Sequence, residues 1–142
     1  MSGRMSAFPR LLVLFVVAIG LYCPVASAQE CRLPQKAMSV AELMFGRNIG
    51  DKLGVSDTTW ARFVATEITP RFPNGFSMVD AQGQWLDSDT KKIVRERSKL
   101  VTIVFDGAAD AQQKIDDIVA AYKGRFRQQA VGVIVRPACV SF

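Results

Sequence analysis

Leu100–Val101–Thr102–Ile103–Val104–Phe105, closed by Asp106–Gly107, is the stretch on which the fold turns. A short apolar run rich in β-branched residues and ended by turn formers reads as a strand. Upstream it extends back to Ile93, and the polar Asp87–Ser88–Asp89–Thr90 reads as a hairpin loop. Before that loop, Phe76 to Trp85 forms the partner strand, entered through the turn Pro73–Asn74–Gly75. Downstream, Asp110 opens a helix with Ala111, Ile115, Ile118, Tyr122 and Phe126 on one face; Gly124 marks fraying of its last turn. Val131 to Val135 is a last strand, interrupted at Pro137. Towards the N-terminus, Ala37 to Phe45 is a first strand ending at Gly46. Ser56 then caps a helix carrying Trp60, Phe63, Val64 and Ile68 until Pro70 stops it.

The order is βαββαβ, an α+β chain of ferredoxin-like type: a four-stranded antiparallel sheet with two helices on one face. Strands one and four are then antiparallel neighbours at one edge. Cys31 precedes the first strand and Cys139 follows the core of the last, so this pairing brings them to disulfide distance. The bond would close a loop of roughly 100 residues, for which chain entropy predicts about 4–5 kcal/mol. On the second strand, Phe76, Met78, Asp80, Gln82 and Gln84 share one side, and Ser77, Val79, Ala81, Gly83 and Trp85 the other. One sheet face is left open, and pairing of two such faces in a homodimer is the expected cover.

Residues 1–28 have the three parts of a signal peptide: Arg4 and Arg10, an apolar run from Leu11 to Cys23, and Ala26–Ser27–Ala28 after Pro24. The alternative is a retained anchor, but the run is short of the roughly 20 residues a span needs. Leu21 and Tyr22 before Cys23 argue against lipidation. Cleavage after Ala28 predicts a single secreted or periplasmic α+β domain, residues 29–142, with no membrane anchor after cleavage.

Cleavage removes two of the eighteen basic residues and none of the thirteen acidic ones, leaving a net charge of +3. That is too mild for a nucleic-acid partner. The local basic stretch Lys91, Lys92, Arg95, Arg97 and Lys99 reads as a solvated strand edge. The chain has no histidine, which excludes Ser-His-Asp and Cys-His catalysis and imidazole-bound metals. Two cysteines so far apart make neither a CxxC motif nor a closed zinc site, and nucleotide-cradling glycine loops are absent from the sequence. No cofactor and no metal is expected.

What is left is a polar group around the second strand: Arg71, Asp80, Gln82, Gln84 and Trp85, with Arg95 and Glu96 across the hairpin. Carboxylate, guanidinium and amides beside an aromatic could bind a small polar ligand, with Asp80 or Glu96 as a general base. The plainer reading makes Asp80 and Gln82 solvated, Arg95 and Glu96 exposed cross-strand partners, and Trp85 core. Arg47 is either solvated after the Gly46 turn or aimed at an anion; Tyr122 reads as core.

Phe45–Gly46–Arg47, Trp60 with Phe63, Thr69–Pro70–Arg71–Phe72–Pro73 and Asp80–Ala81–Gln82–Gly83–Gln84–Trp85 resemble a family of uncharacterised bacterial secreted proteins, domain of unknown function 3574. Arg95–Glu96, Ser98–Lys99, Tyr122 and Phe126 add to the likeness, which covers residues 40–142. The resemblance implies export and one domain, and it leaves the function open. Two functions remain open: an exported ligand-binding or interaction module without catalysis, or a small cofactor-independent enzyme of isomerase or monooxygenase type. Inhibition of an exported enzyme, through Arg47 to Val55 or Asp87 to Lys92, is a third.

Overall fold

Alternation along the first strand sets the architecture. In β1 (Lys36–Gly46), Ala41, Leu43 and Phe45 stand two residues apart and are completely buried, so one side of the strand faces the core. The computed structural model describes residues 30–50 and 52–142, and the signal-peptide reading of residues 1–28 lies outside them. Two short strands, β2 (Asn48–Ile49) and β3 (Lys52–Leu53), pair with each other and lead to α1 (Asp57–Phe63). The Ser56 hydroxyl caps α1 by accepting the Thr59 N–H at 3.2 Å. After a π-helical segment, Val64–Ile68, comes α2 (Thr69–Arg71); β4 (Ser77–Leu86), β5 (Ile93–Phe105), α3 (Ala111–Phe126) and β6 (Gly132–Val140) follow.

The four long strands form one antiparallel sheet in the order β4-β5-β1-β6. That is the order a split βαβ arrangement demands, with the first strand inside and the last beside it at an edge. Trp60, Phe63 and Ile68 join Ile115, Ile118, Tyr122 and Phe126 over Leu43, Phe45, Val101 and Ile103 in one core, so both helical segments lie on the same sheet face. Phe45 is its hub, with ring centroids 4.8 Å from Tyr122, 5.1 Å from Trp60 and 6.1 Å from Phe63. Cys31 and Cys139 are disulfide-bonded with Cα atoms 5.4 Å apart, and Cys139 pairs with Ala37 of β1.

Four sequence expectations are corrected. Pro70 does not stop the first helical segment: it lies in the first turn of α2, where no N–H is needed, and the turn ends at Phe72. Gly124 does not mark fraying; α3 runs to Phe126 and is ended by Arg127 in the left-handed conformation, φ 51°. Pro137 does not interrupt the last strand, because β6 is an outer strand and tolerates a residue without a ladder donor. The basic stretch is not a strand edge, because β5 is an inner strand and Lys99 on it is buried.

Candidate functional site

On β5, Glu96 projects from the face of the sheet opposite the helices, as the register with Gly83 shows. Its neighbours on that face are two glycines. Gly83 is its partner on β4, and Gly46, the last residue of β1, pairs with Ser98. A Cβ on Gly46 would stand 2.6 Å from both Glu96 oxygens, and one on Gly83 would stand 3.0 Å from Ser98 Oγ. Missing side chains thus open a hollow around one carboxylate. Its volume is about 420 Å³, with Met44, Gln84, Trp85, Arg127 and Gln128 among its walls, a size suited to a small organic ligand.

Two donors fix that carboxylate. Trp85 Nε1 donates to Glu96 Oε1 at 3.0 Å and the Asn48 backbone N–H to Oε2 at 3.1 Å. Behind it the backbone is pinned as well: the Tyr122 hydroxyl donates to the Gly46 carbonyl at 2.7 Å and Gln128 Nε2 to the Asn48 carbonyl at 2.6 Å. Burial pushes the Tyr122 phenol well above its ordinary range, opposed by the charge of Arg47, so it acts here as a permanent donor. Among the described residues, Glu96 has no ion-pair partner. Its oxygens keep lone pairs that neutral N–H donors leave unused. We expect Gly46→Ala to change stability by no more than about 1 kcal/mol, because the clash is with a flexible side-chain end, while the Trp85–Glu96 bond is lost. The indole N–H resonance of Trp85 checks this.

A second polar group lies on the helix side of the sheet. Arg47 is 2% exposed; its Nε donates to the Val55 carbonyl at 2.8 Å, and its Nη2 lies 3.0 Å from Asp57 Oδ1, off the hydrogen-bonding angle. Lys99 Nζ reaches Asp80 at 2.5 Å and Asp57 at 3.3 Å. Two buried cations are thus capped by two exposed carboxylates, which explains the charges without a ligand. Lys99, by donating a hydrogen bond, holds the Asp80 carboxyl below its ordinary 3.8. A depressed carboxyl stabilises the fold above its unfolded value and loses that contribution as pH falls through the folded one. Acidification below about pH 3.8 should therefore lower the urea midpoint, and Asp80→Asn should remove part of that dependence.

The predicted site residues therefore separate. Gln84, Trp85 and Glu96 meet at the hollow. Trp85 is 37% exposed, so its reading as core is corrected: its side of β4 is the one the helices leave open. Arg47, Asp80 and Gln82 lie at the second group. Arg95 pairs with Gln84 in the ladder and is exposed, making no ion pair with Glu96. Arg71 lies in a separate depression with Phe72 and Phe76, its Nη1 bonded to the Glu67 carbonyl and carboxylate at 2.9 and 3.0 Å. Sequence reasoning missed Asn48, which acts through its backbone N–H and carbonyl, and Gln128, whose side-chain amide holds that carbonyl; neither carries a motif. It also missed the role of Gly46 beside Glu96; the Phe45–Gly46–Arg47 run was its one visible trace.

Residues 40–142 match the sequence profile of a family described as proteins of unknown function, DUF3574. The chain belongs to that family. No curated protein matches it. Among solved structures, it is similar to a phage SAM lyase in complex with S-methyl-5′-thioadenosine, at 17% identity and a TM-score of 0.60 over 74% of this chain and 90% of that one. The apo state of a phage SAM lyase is similar at 22% identity and a TM-score of 0.58, over 81% and 92% of the two chains. At these identities the likeness is one of fold. For the DUF3574 chain, then, the geometry around Glu96 has to carry the chemistry.

Proposed function

We propose that this DUF3574 protein is an exported domain that binds a small organic cation in the hollow around Glu96. One observation carries the reading: a half-buried carboxylate, oriented by Trp85 Nε1 and the Asn48 N–H, has no cationic partner among the described residues. A charge in that position favours a ligand that brings the opposite one, and the attraction grows as water is displaced. The Trp85 indole and Met44 offer apolar wall to the rest of the ligand, and an indole face attracts a cation as well. The Cys31–Cys139 disulfide suits an oxidising compartment, and among the described residues no helix is long and apolar enough to cross a membrane. The disulfide fits the export expected from residues 1–28.

The fold shared with phage SAM lyase selects the probes. SAM is a sulfonium cation and S-methyl-5′-thioadenosine is a neutral thioether with the same nucleoside. Calorimetry on the processed chain should show SAM bound more tightly than the thioether. Glu96→Gln, which keeps the shape and removes the charge, should weaken SAM at least about ten-fold and leave the thioether nearly unchanged, since a close charge pair is worth more than 1.4 kcal/mol at low effective dielectric. Absence of binding by SAM and by simple alkylammonium ions, or equal binding by the variant, contradicts the reading.

A second reading, catalysis at the same place, rests on the same carboxylate acting as a general base. Mass spectrometry after incubation with SAM reads it directly. Unconsumed SAM removes this second reading and leaves the first.

A further inference from the structure

We infer that the open face of the sheet binds a second copy of this chain, which roofs the Glu96 hollow. The face away from the helices carries an apolar band across its width. Val79, Leu100 and Met44 lie side by side on one row of the ladder, and Ile134 is one step along on β6. Val79 is 55%, Ile134 45% and Met44 41% exposed. Single exposed apolar residues are ordinary, but a contiguous band across four strands marks an interaction surface.

Size and charge choose the occupant. Four strands about 4.8 Å apart, each about nine residues long at about 3.4 Å, make a plane of roughly 19 by 30 Å. Its corrugated accessible area is on the order of the 800 Å² that each partner gives to a stable complex. The charges on this face include both signs: Glu42 and Arg136 form an exposed pair at 2.8 Å beside Ile134. A two-fold axis passing beside this pair sets each carboxylate against the other copy's guanidinium, an arrangement in which the surface is complementary to itself. A strongly one-signed patch, as for nucleic acid or a charged membrane, would not be. The mouth of the Glu96 hollow opens on the same face, so a copy laid there closes it and strengthens its electrostatics.

The test needs no ligand and is therefore independent of the binding reading. Analytical ultracentrifugation of the processed chain at micromolar concentration should give twice the monomer mass. Ile134→Lys and Val79→Lys, both at exposed positions, should each give a monomer with an unchanged circular dichroism spectrum. Val133→Lys, on the same strand but on its opposite side, should remain a dimer. A monomeric wild type, or an association that survives Ile134→Lys and Val79→Lys while Val133→Lys breaks it, overturns the inference.

Discussion

Replacing Cys31 and Cys139 together by alanine should lower the unfolding free energy by about 4–5 kcal/mol. The two residues are 108 apart in sequence, and cross-linking a loop of that length removes chain entropy from the unfolded state in this amount. The native state gives little back, because the cysteines already face each other where the entry to β1 meets the end of β6. Stabilities of small domains run to about 5–15 kcal/mol, so the loss takes a large part of the total. Urea unfolding of the double variant measures it. β6, held by only one neighbouring strand, should lose amide-exchange protection first, and a loss below about 1 kcal/mol would show that the entropy argument fails here.

Phe45→Ala should cost about 3–5 kcal/mol, the range for deleting a buried aromatic ring. Phe45 is fully buried and touches the rings of Trp60, Phe63 and Tyr122, residues that come from both helical segments. No one neighbour can collapse into the space, since each is held by others; Phe63 and Tyr122, for example, lie 5.0 Å apart. The effect also reaches the site. Tyr122 donates to the carbonyl of Gly46, the residue that follows Phe45, so a Tyr122 that shifts into the void releases the backbone beside Glu96. Phe45→Leu, which keeps most of the volume, should cost clearly less by the same unfolding measurement.

The strands and helices were legible because their apolar periods are strong: two in β1 and β5, near 3.6 from Ile115 to Phe126. Cysteine placement added a check that pairing of the outer segments passed. What misled was local punctuation. Pro70, Gly124 and Pro137 all carry meanings that depend on surroundings: a first helical turn, an unobstructed helix face and an outer strand.

The site was half legible. Glu96 and Trp85 stood out as chemistry-bearing residues on one hairpin, and alternation put Trp85 with Gly83. Which side of β4 the helices cover was not in that alternation; it follows from the registers that tie Leu43 to Val101 and Val101 in turn to Met78. Lys99 read as solvated because nothing local shows that Asp57, far away in sequence, comes to meet it. Asn48 was invisible for a simpler reason, since a backbone N–H carries no residue signature, and Gln128 because its side-chain partner is a backbone carbonyl 80 residues away in sequence.

The two N–H groups that hold Glu96 are also the most direct reporters on its role. In a nitrogen-15 NMR titration of the processed chain with SAM, the Trp85 indole and Asn48 amide resonances should move together and saturate, and in Glu96→Gln the same shifts should need at least about ten-fold more SAM. If both stay fixed while other resonances shift, the ligand lies elsewhere and Glu96 is not the anchor.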